Sequence, residues 1–377
     1  MNSQTKKTTV GLPRMHKEEG ERRDFLPKFA GILEKYGAQP ILEDGYGRRM
    51  GLNQTDYRAS APSARFVTHR EAYRQDIVVV LRCPGEEEMR WMRPGCLLVS
   101  MLHFGTRPKR VELLRELGLN ALSIDGIVDD YGHRLVENLS AVAWNGMEAA
   151  FQVLEDTYPP PGLRSPRRPP IYITLLGAGA VGGHTVQAAV RYGNPHLQAE
   201  LAKKHVPGVI VTAVDRDITG KQSIMQDILS RTDMLVDASA RRDQTQPIIP
   251  NDWLAYLPKH AVILDLSVDP YEEVDGRLLI KGIEGIPQGN LNQYIFTPDD
   301  PAYDLIPDFV STKYRRHAVS CYSWPGIEPF GSMYVYGEQL RPIMRIILEK
   351  GGVENMDKNG SYFERAISRS LLSNWPD

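Results

Sequence analysis

The feature that most constrains this chain is the stretch IYITLLGAGAVGGHTVQAAVRYG, residues 171–193. Six mostly apolar residues, 171–176, precede three glycines in the spacing G-x-G-x-x-G, and apolar residues at helical spacing follow. A strand that turns through glycines into a helix is the beginning of a β-α-β unit. The chain is therefore expected to form a strand–turn–helix unit here.

The same glycines predict a dinucleotide site. Gly177 permits the tight turn, Gly179 lets the backbone approach a pyrophosphate, and Gly182 lets helix and strand pack closely. Ala180 and Val181 begin the helix, whose free N–H groups would face the phosphates. The pattern alone is weak, and a glycine turn without a nucleotide is the alternative, but the strand before it and the helix after it favour nucleotide binding.

A carboxylate at the end of the next strand would accept hydrogen bonds from the ribose hydroxyls. GVIVTAVD supplies Asp215, which lies further from the first glycine than the usual ~20 residues. The added residues form a longer connection, 193–208. Asp215 favours NAD over NADP because a carboxylate repels a 2′-phosphate, whereas the adjacent Arg216 keeps NADP possible.

Length and composition limit the classes of protein to consider. A chain of 377 residues predicts two domains, and 42% hydrophobic with 24% charged residues is typical of a soluble globular protein. A net charge of −2 argues against a nucleic-acid or membrane partner. The N-terminus lacks the apolar segment of a signal peptide, and no apolar run reaches the ~20 residues of a membrane helix.

The cysteines point to the same setting. The chain has three, Cys83, Cys96 and Cys321, without CxxC or CxxH spacing. A disulfide framework or a zinc site is therefore not expected, and a cytoplasmic location without a bound metal is predicted.

Apart from the glycine unit, the chain alternates strand-like and helix-like segments. The N-terminal part has buried-type strands such as DIVVVLRCP and CLLVSMLHFG, separated by amphipathic helices, which predicts an α/β fold with parallel sheets. A long helical pattern begins at residue 139 and is closed by the proline-rich stretch 159–170. Residues 283–317 are irregular, which predicts a lid or an insertion, and the C-terminus is helical again.

Taken in order, these blocks resemble the alanine dehydrogenase family, which is related to the transhydrogenase NAD-binding subunit and lysine-forming saccharopine dehydrogenase. The blocks that carry the resemblance are VGLPRMHKEEGERRDFLP, VVVLRCP, MRPGCLLVSMLHF, NLSAVAWNG, LLGAGAVGG, VTAVDRD, VILDLSVDP and SWPGIEPFGSMY. The resemblance implies two Rossmann-like domains, with a nucleotide domain (139–324) inserted into a discontinuous substrate domain (1–138 and 325–377). It also implies a substrate bound between the domains.

The resemblance further implies three groups that handle the substrate. An arginine that holds the carboxylate matches Arg23, or Arg22 because the loop is one residue shorter, and the alternative is a solvated charge. The acid–base histidine matches His103, although a lone histidine at a strand end is more often structural. The family's lysine is replaced by Arg82, which can anchor a carboxylate or polarise a carbonyl but cannot act as a base.

The remaining site predictions lie later in the chain. An aspartate near the nicotinamide matches Asp269, with Asp265 as the fallback. Ser239, Ser323 and Trp324 are expected to contact the cofactor, with ordinary packing as the alternative for Trp324. The pair Arg241 and Arg242 is expected at the surface, or within reach of the cofactor.

These expectations together predict an NAD-dependent oxidoreductase acting on the C–N bond of an amino acid. It would interconvert an amino acid, or an N-substituted one of opine or saccharopine type, with a 2-oxo acid and an amine. His103 would exchange the proton, with Asp269 and Arg82 beside the reacting carbon, and the protein would be a homo-oligomer. The alternatives are a 2-hydroxyacid dehydrogenase and an NAD-binding regulatory protein without turnover.

Overall fold

The computed structural model describes residues 7–241, 243–274 and 276–376. They divide into two compact units, the first formed by residues up to Asn138 together with those from Pro329 onward, and the second by Leu139–Glu328. The predicted α/β class with two Rossmann-like sheets is confirmed. The roles assigned to the two parts, substrate binding and NAD binding, stay predictions.

The N-terminal part of the first unit alternates strands and helices as the sequence predicts. Its strands are β1 Thr9–Leu12, β2 Gln39–Glu43, β3 Arg65–Val67, β4 Ile77–Arg82, β5 Leu97–Met101 and β6 Asn120–Ser123. Its helices are α1 Pro27–Lys35, α2 Gln54–Ser60, α3 His69–Ala72, α4 Glu86–Trp91 and α5 Pro108–Glu116. The short strand β3 has no clear sequence signal, because its three residues are exposed or half-buried.

The strands of this unit form one parallel sheet in the order β3-β2-β1-β4-β5-β6. Both faces are covered, since Val79 and Leu81 of β4 belong to one hydrophobic core while Val78 and Val80 belong to the other. This alternation explains the unbroken apolar run in the sequence. The strand order reverses between β1 and β4, and ligands of such sheets bind at the carboxyl ends of the strands beside that point.

The second unit begins with the long helix that the sequence predicts. Its helices are α6 Leu139–Thr157, α7 Ala180–Ala189, α8 Pro195–Lys203, α9 Arg216–Thr219 and α10 Gln222–Ser230. Its strands are β7 Ile171–Leu176, β8 Val209–Val214, β9 Met234–Asp237, β10 Val262–Asp265, β11 Glu272–Val274, β12 Arg277–Leu279, β13 Ile295–Phe296 and β14 His317–Ser320.

Six of these strands form a sheet in the order β13-β14-β10-β9-β7-β8, and β11 pairs with β12 in a separate hairpin. All neighbours in the large sheet are parallel except β13, which runs antiparallel to β14 at the edge. The order reverses between β7 and β9, so the glycine turn that follows β7 lies at the position where such sheets bind ligands.

The segment 283–317 differs from the prediction of a lid or an insertion. Ile283, Ile286, Phe296 and Tyr303 are buried in the same core as β9 and β10. The segment also contributes β13 and the first residue of β14 to the sheet. It therefore covers and extends the sheet of the second unit, and its irregular sequence reflects short elements joined by turns.

Two C-terminal helices, α11 Pro329–Glu349 and α12 Tyr362–Arg369, return to the first unit. Leu340, Ile343, Met344 and Ile347 of α11 join the core beneath β1 and β4. A Cβ on Gly337 would lie 3.7 Å from the Phe29 side chain of α1, an ordinary packing distance between the two helices. Among the helices described, none is long and apolar enough to cross a membrane.

Gly193 gives a test of how the second unit is packed. Its φ of 65° is in the left-handed region, and a Cβ there would lie 2.2 Å from the backbone nitrogen of Glu148 in α6. We expect Gly193→Ala to lower the free energy of unfolding by more than about 3 kcal/mol, because strain and a backbone clash add. Gly162→Ala is the matched control, since Gly162 has a φ of 93° and open space around it. Equal losses in urea titrations of both variants would contradict the packing argument.

Candidate active site

Three polar side chains follow neighbouring strands at the carboxyl edge of the first sheet. Arg82 ends β4, His103 lies two residues after β5, and Asp125 lies two residues after β6. The parallel register pairs Arg82 with Met101 and Ser100 with Ser123. Because successive parallel strands end at the same edge, side chains distant in sequence are placed beside one another.

His103 is held in a defined orientation by Asp125. Its backbone has a φ of 51°, unusual for a residue other than glycine. The Asp125 carboxylate accepts a hydrogen bond from the backbone N–H of His103 through Oδ1 at 3.1 Å, and its Oδ2 lies 3.1 Å from Nδ1 of the ring. This arrangement places the ring's proton donor at Nδ1 and leaves Nε2 as the second ring nitrogen.

Asp125 is the functional candidate that sequence reasoning missed. Burial acts to raise its pKa, but the hydrogen bonds and charge of His103 and the hydroxyl of Ser123 hold the pKa well below the ordinary value. The carboxylate therefore stays ionised beside the imidazole. Its signal in the sequence was the position just after the strand NALS, equivalent to the position of His103 after its own strand.

The two predicted substrate arginines are paired with carboxylates of one loop, residues 13–24. Arg82 Nη2 lies 3.0 Å from Glu18 Oε1, with both side chains about one-third exposed. Arg23 donates from Nε and Nη2 to the two oxygens of Glu21 at 2.8 and 2.5 Å, and this pair is almost completely buried. The alternative of a solvated charge at Arg23 is therefore wrong, since only 3% of the residue is exposed.

Arg23 and Arg82 both lower the pKa of one buried carboxylate, that of Glu21. Burial acts to raise the pKa of Glu21, but the hydrogen bonds and charge of Arg23, with a further contribution from Arg82, hold the pKa below its ordinary value. Arg22, the alternative to Arg23, is half-buried, and its backbone N–H donates to the same carboxylate. The loop thus places the Arg23 guanidinium against the buried Glu21 carboxylate, and the charge of Arg82 at the end of β4 acts on the same carboxylate.

The glycine turn of the second unit contains two glycines that the fold requires and one that it does not. Gly177 has a φ of 89°, and a Cβ there would lie 2.9 Å from the carbonyl oxygen of Ala238. A Cβ on Gly182 would lie 2.4 Å from the carbonyl oxygen of Gly177, so the helix packs closely on the turn. Gly179 is different, because no atom lies within 4 Å of its Cβ position. The fold needs the outer two glycines, while the middle one leaves open space before the N-terminus of α7.

The residues flanking this turn are those predicted for the cofactor. Ala180 and Val181 form the first residues of α7. Asp215 follows β8 and is exposed, and its side chain accepts a hydrogen bond from the backbone N–H of Arg216. Ser239 lies beside Gly177 and donates its hydroxyl to Asp237 at 2.6 Å. Their contacts with a cofactor stay predictions.

A buried ionic network lies below the turn. The Nζ of Lys281 lies 2.6 Å from Asp265 Oδ2, and both side chains are 1% exposed. Burial raises the pKa of Asp237 to about 6, and the neighbouring charge of Asp265 adds to the rise. Asp265, the fallback for Asp269, is thus occupied by Lys281, which the sequence analysis did not identify.

Asp269 and Trp324 have partners within the second unit. Asp269 accepts hydrogen bonds from Arg241 at 2.7 and 3.2 Å and from Gln244 at 3.0 Å. The surface position expected for Arg241 is wrong, because its side chain is 6% exposed. Arg242 lies outside the described residues.

Trp324 has no exposed surface, and its indole N–H donates to the Asp265 carbonyl at 2.8 Å. This burial favours the packing alternative over a cofactor contact, because a side chain without accessible surface has none to offer a ligand. The neighbouring Ser323 is 6% exposed, and its contact with the cofactor stays a prediction, as does the substrate role of Asp269.

Known proteins resemble this chain in sequence and in fold. Residues 11–143 match the family described as alanine dehydrogenase/PNT, N-terminal domain. Alanine dehydrogenase of Bacillus subtilis (strain 168) is 22% identical, over 93% of this chain and 88% of that protein. The chain is thus similar to an alanine dehydrogenase over nearly its whole length. The resemblance predicted from the sequence blocks is confirmed.

Solved structures show the same fold. An L-alanine dehydrogenase superposes with a TM-score of 0.71 at 18% identity, covering 97% of this chain and 94% of that chain. The transhydrogenase from Sinorhizobium meliloti superposes with a TM-score of 0.61 at 15% identity, covering 90% and 94%. The alanine dehydrogenase-like fold therefore extends over both units of this chain.

Asp24, in the arginine loop, predicts how stability depends on pH. Burial raises its pKa to about 7 from an ordinary value of 3.8, and the charges of Glu43 and Glu21 add to the rise. Between these two pH values the folded state keeps a proton that the unfolded state loses, so the stability contributed by protonated Asp24 is lost as pH rises towards 7.

We expect Asp24→Asn to raise the melting temperature at about pH 8 and to change it little at about pH 4, because asparagine mimics the protonated acid. The amide oxygen can still accept the Gly47 N–H that Asp24 Oδ2 accepts at 2.7 Å. Thermal melts of both proteins across this range measure the difference. A variant that melts lower than the parent at about pH 8 would contradict the raised pKa.

Proposed function

We propose that this protein is an NAD-dependent oxidoreductase that acts on the C–N bond of an amino acid. It would interconvert an amino acid, or an N-substituted amino acid, with a 2-oxo acid and an amine. The observation that carries the proposal is the His103–Asp125 pair at the end of β5 in an alanine dehydrogenase-like unit. A nicotinamide cofactor is supported by the glycine turn after β7 and by the relatives named above.

The chemistry divides between the cofactor and the protein. NAD, when bound, supplies the hydride acceptor for the hydrogen on the α-carbon of the substrate. His103 Nε2 takes the proton that the substrate nitrogen or an attacking water releases, and Asp125 stabilises the resulting imidazolium through Nδ1. Hydrolysis of the oxidised C=N bond then gives the 2-oxo acid and the amine.

The arginines are proposed to hold carboxylates. Arg82 is about one-third exposed and bound to Glu18, so a substrate carboxylate can take the place of Glu18 with similar geometry. Arg23 is enclosed with Glu21, which assigns it to shaping the loop and to the local positive charge, with Arg22 nearer to solvent. Because an arginine cannot act as a base, His103 carries the acid–base role alone.

Arg82 also bears on the choice of substrate. A guanidinium in place of a lysine adds a carboxylate-binding group beside the reacting centre. We therefore propose a substrate with a second carboxylate, as in an N-substituted amino acid of opine or saccharopine type, in preference to alanine itself. Asp215 supports NAD over NADP. A cytoplasmic location and a homo-oligomer belong to the same proposal.

One observation favours a second candidate function. The Arg82–Glu18 ion pair already satisfies the group that replaces the lysine. A protein that binds NAD and an amino acid without turnover would keep this arrangement. An NADH-consumption screen that pairs 2-oxo acids with ammonia and with amino acids separates the two functions, and hydroxy acids in the oxidative direction test a 2-hydroxyacid dehydrogenase.

The His103–Asp125 pair can be tested by substitution. We expect His103→Ala to lower kcat by at least about 100-fold, since acid–base catalysis contributes factors of about 10² to 10⁴. Asp125→Asn should lower kcat less and leave KM little changed, because it misorients the ring without removing it. Stopped-flow turnover measures kcat and KM of the two variants, and NAD titration measures their affinity for the cofactor.

His133→Ala is the control, because His133 makes a similar exposed contact with Asp129 outside the site. NAD affinity should be unchanged in all three variants. Full turnover in His103→Ala would remove the histidine from the mechanism.

The open space at Gly179 predicts a variant that folds as the parent does but binds NAD more weakly. Gly179→Ala should keep the melting temperature, because its Cβ meets no atom, and weaken NAD binding by at least about 10-fold by obstructing the pyrophosphate. Gly183→Ala is the matched control, since it also has open space and lies one turn into α7. Equal NAD affinity of Gly179→Ala and the parent, measured by calorimetry, would place the nucleotide elsewhere.

A further inference from the structure

We propose that His16, Glu43 and His69 form a binding site for one divalent transition-metal ion, best suited to Zn²⁺. One ligand atom from each of these residues lies within 4.8 Å of the other two. The site belongs to the first unit and is separate from the His103–Asp125 pair. The spacing of the cysteines predicts no metal site, but this site contains no cysteine, so that spacing has no bearing on it.

The fold brings these three residues together at the carboxyl edge of the sheet. His16 lies in the loop after β1, Glu43 ends β2, and His69 begins α3 just after β3. The strands β1, β2 and β3 are parallel neighbours. The cluster therefore occupies the half of the sheet edge on the other side of the strand-order reversal from His103.

The distances are close to those of a metal site. Nε2 of His16 lies 2.6 Å from Glu43 Oε1, and Nδ1 of His69 lies 2.7 Å from Glu43 Oε2. Ligands at about 2.0–2.2 Å from a tetrahedral ion lie about 3.4 Å from one another. Each contact must then lengthen by less than about 1 Å, which small rotations of the partly exposed His16 and His69 rings can supply.

The donor set indicates which ion would bind. Two imidazoles and one carboxylate are typical of zinc sites that keep an open coordination position, and they also suit Co²⁺. The Glu43 side chain is 6% exposed, whereas those of His16 and His69 are 38% and 27% exposed. An ion would supply counter-charge to this buried carboxylate, and the partly exposed rings leave a path from solvent.

Groups around the ligands would hold them in place. Nε2 of His69, the nitrogen that faces away from Glu43, lies 3.7 Å from Glu88 Oε1. That distance is too long for a hydrogen bond, so the Glu88 carboxylate acts on the His69 ring through its charge. The backbone N–H of Arg14 donates to Glu43 Oε2 at 2.8 Å, and the His69 ring packs edge-on against Trp91 with centroids 5.3 Å apart.

A bound ion would fix the loop that carries Glu18, the partner of the proposed substrate-binding Arg82. His16 lies in the same loop as Glu18, Glu21 and Arg23, whereas Glu43 and His69 belong to the sheet edge and to α3. The ion would therefore attach this loop to the sheet. A structural role of this kind predicts a rise in melting temperature when metal binds, independent of any substrate.

The direct test is a Co²⁺ titration of the full chain after dialysis against EDTA. We expect one Co²⁺ per chain, with a visible ligand-field spectrum that Zn²⁺ abolishes by competition, and a higher melting temperature with either ion. His16→Ala and His69→Ala should each weaken Co²⁺ binding by at least about 10-fold and abolish the thermal shift. His133→Ala is the control, because its ring pairs with an aspartate in an exposed loop.

Glu43→Gln keeps the size of the buried side chain while removing its charge, and circular dichroism is used to check that each variant is folded. The Glu43→Gln variant should also bind Co²⁺ more weakly than the parent does. The proposal would be overturned if the parent gives no ligand-field spectrum, or if His16→Ala and Glu43→Gln bind Co²⁺ as tightly as the parent does.

Discussion

The parallel register of β4, β5 and β6 is the constraint on which the candidate active site depends. It places the ends of three strands side by side, so that Arg82, His103 and Asp125 occupy one edge although they lie up to 43 residues apart in sequence. Hydrophobic cores on both faces of the sheet fix this register. A shift of one residue would turn His103 and its neighbours to the opposite face, and the pair with Asp125 would be lost.

Buried charge is the second recurring feature of both units. Glu21 is paired with Arg23, Asp265 with Lys281 and Asp269 with Arg241. Removing one partner of such a pair leaves an uncompensated charge, which is costly in a low-dielectric interior. Asp24 and Asp237 are compensated less, and their pKa values rise to about 7 and 6. These buried charges lie in the loop after β1, at or just after the ends of β9 and β10, and just after β12.

The sequence predicted the elements with strong local signals, including the buried strands, the glycine turn and His103. The position of Asp125 just after the strand NALS was its only sequence signal, and its contact with His103 could not be predicted because that contact depends on the sheet register. Lys281 was missed, and Arg241 was wrongly expected at the surface. Both side chains are buried by contacts with the residues that flank the hairpin β11–β12, which the sequence does not reveal. The short strands β3 and β13 exist only through pairing with longer neighbours.

The proposed activity has one decisive measurement. NADH carrying deuterium at the transferable position is incubated with the protein, a 2-oxo acid and a panel of amines, and the products are analysed by mass spectrometry and NMR. The account predicts deuterium on an α-carbon that carries nitrogen, with transfer strongly reduced in His103→Ala. Deuterium on a carbon that carries a hydroxyl, or transfer unaffected by the loss of His103, would contradict it.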